Sequence, residues 1–487
     1  MRIKTIGLYA GPLLFFIILL VEKPVGLSLE GTAVLASTAW IAIWWISGAV
    51  PIEVTALLPL VLFPLTGGLP LKPTAAAFGH KFIFLFLGGF LLALAIEKWN
   101  LHRRIALNII QAIGANMNGI ILGFMVATAF LSMWISNTAT SVMMLPIGMA
   151  IIAQLRNNPA TKENENLIFG KALMLAIAYS ASIGGMATLI GTPPNLVLAG
   201  VVKETYGIEL TFAGWMSFGL PISMLLLAIS WFYLTRKMFV LQQEEFPGGR
   251  DEVNRQLTAL GKIGFEEKVV LGVFVVTASA WISRSFLLKP LIPAIDDTII
   301  AIICAIMLFI LPAKKAGEKL LKWEDAKRLP WGILLLFGGG LALADGFKVS
   351  GLASWIGSQM TLLEGISLFI IVIVLIAVVN FLTEITSNLA TTAMLLPILA
   401  PMALAIDVHP YALMVSATLA ASCAFMLPVA TPPNAVVFGS GYLEMPDMIR
   451  TGIWLNLLSI LLISLLVYFL LPLLWGIDLT VFPEALK

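Results

Sequence analysis

Two twelve-residue stretches carry the side chains best suited to holding a ligand. Ser136-Asn137-Thr138-Ala139-Thr140-Ser141-Val142-Met143-Met144-Leu145-Pro146-Ile147 aligns with Ser387-Asn388-Leu389-Ala390-Thr391-Thr392-Ala393-Met394-Leu395-Leu396-Pro397-Ile398, with eight of the twelve positions identical. A second pair follows them in the same order: Thr192-Pro193-Pro194-Asn195 and Thr431-Pro432-Pro433-Asn434. Hydroxyls and side-chain amides of this kind coordinate and hydrogen-bond. They are not nucleophiles with a base beside them. No C-x-x-C, H-E-x-x-H, G-x-S-x-G or P-loop pattern occurs, and His80, His102 and His409 share no metal-ligand spacing. Covalent catalysis and transition-metal chemistry are therefore not expected.

The motifs lie in a chain of 487 residues that is 60% hydrophobic and 11% charged, with mean hydropathy +0.99. No soluble surface can be covered from that composition. At ~20 residues per crossing the apolar content allows at most roughly fourteen spans. A net charge of +2, with Lys and Arg in short clusters between apolar runs, speaks against nucleic-acid binding. Met1-Arg2-Ile3-Lys4 leads into an apolar run with no small-residue cleavage site, which reads as a retained first helix. Cys304 and Cys423 lie within apolar stretches and read as free thiols.

The runs near 117–153 and 364–406 are about twice one crossing, yet each has a Ser-Asn cluster at its middle, which predicts re-entrant hairpins. The runs near 168–201 and 411–440 are interrupted by Thr-Pro-Pro-Asn, which predicts broken helices. Gly88-Gly89 and Gly338-Gly339 recur upstream at the matching separation and read as close-packing surfaces. The expected architecture is an all-α polytopic membrane protein: a leading helix at 1–29, a first repeat at 30–235, a cytoplasmic linker at 236–268, a second repeat at 269–476 and a tail at 477–487. Five crossings and one hairpin per repeat, with the leading helix, give eleven crossings, and the odd number inverts one repeat relative to the other. Placing the N-terminus in the cytoplasm assigns 21 of the 29 Lys and Arg to that side.

A hairpin tip within a bilayer exposes backbone groups that lipid leaves unsatisfied, so it must line a protein cavity. Ser, Asn and Thr favour helix N-caps, and Thr-Pro-Pro places a cap before prolines suited to a first turn. Four half-helix N-termini converging at mid-membrane would attract an anion without a buried Arg, and no Lys or Arg stands near the motifs in sequence. Carbonyls freed by the same breaks, with Ser, Thr and Asn oxygens, make a hard neutral cage suited to Na⁺. Glu384, three residues before Ser387, reads either as a structural hydrogen-bond acceptor or as an ion-coupling group. Trp99 to Gly114 reads as an amphipathic surface helix.

At these residues, and over essentially the whole length, the chain resembles the divalent anion/sodium symporter (DASS) family, which includes the INDY-type bacterial dicarboxylate transporters and the mammalian sodium-coupled citrate and dicarboxylate carriers. The resemblance implies a homodimer with a scaffold domain and an elevator-type transport domain built from the hairpins and broken helices. It implies one Na⁺ site at Ser132, Ser136, Asn137 and the Gly191 carbonyl, and another at Thr383, Thr386, Asn388 and the Ala430 carbonyl. It places substrate carboxylates on Asn137, Thr138, Asn388 and Thr431, with Pro432 nearby. The chain departs from the family pattern at Leu389, where Thr is usual, so one hydroxyl is missing from the substrate pocket. The implied activity is Na⁺-coupled symport of C4-dicarboxylates such as succinate, malate or fumarate, with citrate a further candidate. Na⁺ is the coupling ion, with no organic cofactor and no nucleic-acid partner. The implied setting is the lipid bilayer of a bacterial cytoplasmic membrane. The alternatives are a sodium-independent di- or tricarboxylate exchanger of the same fold and, more remotely, a membrane-embedded enzyme or a channel.

Overall fold

The computed structural model describes residues 2–114, 116–156, 163–241, 249–314, 317–359 and 365–486. Among them the regular structure is entirely helical, apart from one isolated bridge between Pro312 and Lys319. Within the described residues ten helices are long and apolar enough to cross a membrane, from Ile3–Leu20 to Met445–Trp475, and five shorter apolar helices accompany them. Length does not separate crossings from hairpin limbs. The ten include Asn137–Leu155 and Asn388–Ala405, each of which follows a Ser-Asn turn, and they leave out Asp297–Ile310 and Pro410–Ala421. Between Leu29–Ser47 and Lys81–Lys98 the chain forms the short helices Ile52–Thr55 and Leu58–Thr66, the second holding Pro59 and Pro64.

Both double-length runs reverse at their Ser-Asn clusters. Met117–Ser132 turns into Asn137–Arg156, and Leu368–Thr383 turns into Asn388–Ala405. Both Thr-Pro-Pro-Asn runs break: Glu163–Gly185 gives way to Pro193–Tyr206, and Pro410–Ala421 to Pro432–Phe438. The prolines explain where the helices restart. A residue before Pro is driven to extended backbone, as at Thr192 (φ −141°, ψ 139°) and Thr431 (φ −138°, ψ 149°). Proline then supplies the first helical positions, where its missing N–H has no intrahelical acceptor to lose.

Each hairpin packs on the broken helix that follows it, and the halves also exchange contacts. Pro432–Phe438 lies against Asn137–Arg156, and Pro193–Tyr206 lies against Asn388–Ala405. This crossing of short helices onto the other hairpin carries the four chain breaks towards one place. The helix Leu101–Ile113 buries Leu101, Ala106, Leu107 and Ile110 and leaves Asn108 and Gln111 exposed, as its amphipathic pattern requires. Its Arg104 holds Glu267 and the carbonyls of Leu260 and Gly261. The expected linker at 236–268 falls partly outside the described residues, at 242–248. The described part of the linker contains the helix Gly249–Ala259. Cys304 and Cys423 are buried free thiols.

The paired glycines have unequal duties. A Cβ on Gly88 would lie 2.8 Å from the Ala301 carbonyl carbon and 2.9 Å from its oxygen, whereas one on Gly89 would meet only Ile190 side-chain atoms, the nearest at 3.5 Å. Backbone cannot swing aside, so Gly88→Ala is expected to cost about 1–3 kcal/mol of stability. Gly89→Ala should be neutral or slightly stabilising, because Ala is the better helix former. Thermal unfolding in detergent checks the contrast, and equal melting temperatures for the two variants would refute it.

Candidate functional site

The first oxygen cluster forms where hairpin one meets its broken helix. Ser132 Oγ is hydrogen-bonded to Asn137 Oδ1 and lies 2.7 Å from the Ala181 carbonyl oxygen. The same Asn137 amide position stands 3.1 Å from the Ala181 oxygen and 3.2 Å from the Gly191 oxygen. With the amide oxygen at that position, the Ser132 hydroxyl has two acceptors for its one proton, Asn137 Oδ1 and the Ala181 carbonyl. Two arrangements satisfy them: the Asn137 amide turns over so that its nitrogen donates, or a cation sits among the oxygens. Gly185 keeps the cluster open, since a Cβ there would stand 2.5 Å from Asn137 Oδ1 and 3.1 Å from the Gly191 oxygen. The donor set is hard, neutral and all oxygen, which suits Na⁺.

The second repeat builds the counterpart 251 positions on in its hairpin. Thr383 Oγ1 lies 2.7 Å from Asn388 Oδ1 and 3.1 Å from the Ala421 carbonyl oxygen, again one proton between two acceptors. Ser136 and Thr386 do not join these clusters through their hydroxyls. Ser136 Oγ accepts from the Ala139 amide at 3.2 Å. The Thr386 hydroxyl donates to the Leu382 carbonyl at 2.9 Å, with Thr391 Oγ1 at 2.6 Å.

Between the clusters lies one cavity of about 710 Å³ whose walls include Ser136, Asn137, Thr138 and Gly191 from the first half and Thr386, Asn388, Leu389, Ala430, Thr431 and Pro432 from the second. Ser132 and Thr383 are fully buried behind it. Of the four expected side-chain caps, two form: Ser136 Oγ to the Ala139 amide and Thr431 Oγ1 to the Asn434 amide, each at 3.2 Å. Thr192 and Ser387 make no such bond. Both line the cavity, as Ser136 and Thr431 also do. The expectation that no Lys stands near the motifs holds in sequence and fails in space. Lys4 and Glu53 line the same cavity, because the leading helix packs along Leu29–Ser47.

Glu384 is 3% exposed, and its carboxylate is fully engaged. It accepts from the backbone amides of Phe425, Met426 and Leu427 at 2.8, 2.9 and 3.0 Å and from Asn456 Nδ2 at 2.7 Å. It therefore ties the tip of hairpin two to the unwound segment that leads into Ala430 and Thr431. Asn195 and Asn434 do related work on carbonyls. Asn195 Nδ2 donates to the Thr188 oxygen at 2.7 Å, and Asn434 Nδ2 to the Leu427 oxygen at 3.0 Å. Both asparagines stand fourth in the Thr-Pro-Pro-Asn motif, and that position was the signal for them. No sequence signal marks the Ala181 and Ala421 carbonyls.

Candidate spans and a polar cavity where the helices break mark a multi-spanning membrane protein, and its family makes it a transporter. The sodium:sulfate symporter transmembrane region family matches residues 4–480, and the chain belongs to that family, the divalent anion/sodium symporters. The sodium-dependent dicarboxylate transporter SdcS of Staphylococcus saprophyticus is 50% identical over 483 residues, covering 98% of this chain and 93% of that protein. SdcS of Staphylococcus aureus strain USA300 is 50% identical over 481 residues, covering 98% and 92%. Among solved structures, MtrF of Neisseria gonorrhoeae, from a class of antimetabolite efflux pumps, superposes with a TM-score of 0.58 at 14% identity over 91% of this chain and 96% of its own. The YdaH transporter of Alcanivorax borkumensis gives 0.54 at 12% identity over 83% and 88%. At those identities the two share the fold alone.

Glu384→Gln replaces one acceptor oxygen with an NH₂ group facing amide donors. The cost of such an unsatisfied buried group is about 1–3 kcal/mol. The variant is expected to melt at a lower temperature in the absence of sodium and of any organic anion; unchanged melting would show that the carboxylate does not hold the unwound segment.

Proposed function

We propose that the protein is a sodium-coupled symporter of C4-dicarboxylates such as succinate, malate and fumarate. The observation that carries this reading is the pair of matching hydroxyl, amide and carbonyl clusters, Ser132 with Asn137 and Ala181 and Thr383 with Asn388 and Ala421, whose asparagines line one cavity. Na⁺ at each cluster would be coordinated by neutral hard oxygens. A dianion between them would take the free hydroxyl and amide groups of Thr138, Asn137, Asn388 and Thr431. The cation and the anion then stabilise each other across a few ångströms of low-dielectric surroundings, which is the physical content of coupling. Leu389, 6% exposed, offers the methylenes of a C4 acid an apolar wall and no donor for a third carboxylate. This favours succinate over citrate. The names of the 50%-identical relatives support the same substrate class.

The wider architecture belongs to the same proposal. Two inverted repeats place both clusters near the membrane midplane, the N-terminus is cytoplasmic, and a homodimeric scaffold lets the hairpins and broken helices move as a unit. One observation favours a second reading. With the Asn137 amide turned over, the first cluster is satisfied without any cation, as a sodium-independent exchanger would require.

Uptake of labelled succinate into proteoliposomes decides between the two. The symporter requires flux to collapse when choline replaces sodium, and undiminished flux in choline would establish the exchanger. Ser132→Ala is expected to shift the sodium dependence more than the succinate dependence, and equal shifts would argue against a separate cation site. Thr138→Val should raise the succinate KM by up to about tenfold, the value of one hydrogen bond, with folding intact. An unchanged KM would remove Thr138 from the substrate site.

A further inference from the structure

A second cleft of about 550 Å³ adjoins the main cavity, and Phe90, Ser136, Thr138 and Ile333 line both. Its far wall carries Arg328 and Glu97. Arg328 is exposed at the end of the 317–328 segment, and its guanidinium makes no side-chain hydrogen bond or ion pair among the described residues. Glu97, half-buried in the last turn of Lys81–Lys98, likewise makes no side-chain hydrogen bond among them and has the Arg328 charge as its electrostatic neighbour. The two opposite charges face one cleft close enough to interact electrostatically, yet no hydrogen bond between their side chains closes it among the described residues. An unpaired guanidinium is also the side chain best shaped to take a carboxylate through two parallel N–H donors.

We propose that this cleft is a carboxylate-docking antechamber. In it Arg328 takes one carboxylate of the dicarboxylate as it passes between bulk water and Thr138, on the side of the protein where the 317–328 segment lies. The inference rests on the dicarboxylate reading of the main cavity. Glu97 opposes the same ligand. Its charge keeps the docked dianion weakly held, so that the antechamber passes its cargo on and does not trap it. Arg328 and Glu97 therefore act with opposite sign on one step, and on one side of the membrane only.

The experiment measures the transport KM for succinate in right-side-out and in inverted membrane vesicles under saturating sodium. Arg328→Gln is expected to raise KM about three- to tenfold in one vesicle orientation and leave the other unchanged. Arg328→Lys should recover part of the loss, since it keeps the charge without the fork. Glu97→Gln should lower KM in that same orientation. Added choline chloride should raise the wild-type KM there and affect Arg328→Gln less. KM values equal to wild type in both orientations would overturn the proposal. So would an equal rise in both, or a Glu97→Gln shift in the same direction as Arg328→Gln. Wild-type vesicles that transport no dicarboxylate in either orientation would instead refute the substrate reading, a result distinct from all of these.

Discussion

Everything at the centre of this protein follows from one constraint: a helix broken among apolar helices leaves backbone amides and carbonyls that neither lipid nor a neighbouring helix can satisfy. The two repeats meet it differently. In the first, the unwound stretch keeps turn-like bonds, Met186 to the Ile183 carbonyl and Ala187 to the Gly184 carbonyl, and Thr188 Oγ1 bridges the Met133 carbonyl and the Gly191 amide. In the second, the amides of Phe425, Met426 and Leu427 find no backbone acceptor, and a carboxylate takes all three. That carboxylate, Glu384, occupies the position that aligns with Met133. The acid is present on one side because the chain is unwound further on that side.

Asn195 and Asn434 take up carbonyls freed by each break, and the Ser132 and Thr383 hydroxyls join a hairpin asparagine to a carbonyl of the following helix. Cross-packing of each short helix on the other hairpin then brings both clusters to one cavity. In the proposed cycle, sodium is held by the hydroxyl, amide and carbonyl oxygens of each cluster, and the dicarboxylate sits where two cations and several N–H and O–H donors overlap. Neither needs a buried protein charge of its own.

The hairpins and broken helices were legible because polar motifs interrupt apolar runs at fixed separations and recur in order. Thr192 and Thr431 follow from the proline rule alone. What the sequence did not carry was tertiary. Lys4 lies more than a hundred positions before Asn137 and reaches its cavity only because the first helix folds along the second. The missing caps at Thr192 and Ser387 have no signal in the sequence, since Thr431 precedes the same two prolines and forms its cap. The two readings of Glu384 could be separated only by seeing four donors converge on it. Carbonyls such as those of Ala181 and Ala421 have no side-chain signature, so backbone ligands stay hidden until the fold is known.

The most direct test of sodium and dicarboxylate sharing one cavity is equilibrium binding of succinate to the purified protein, titrated in sodium and in potassium, together with sodium titrated with and without succinate. Two sites built from one set of turns predict that saturating sodium raises succinate affinity by at least about tenfold, and that succinate raises sodium affinity by the same factor, as linkage requires. Succinate binding of equal strength in the two salts would contradict the account.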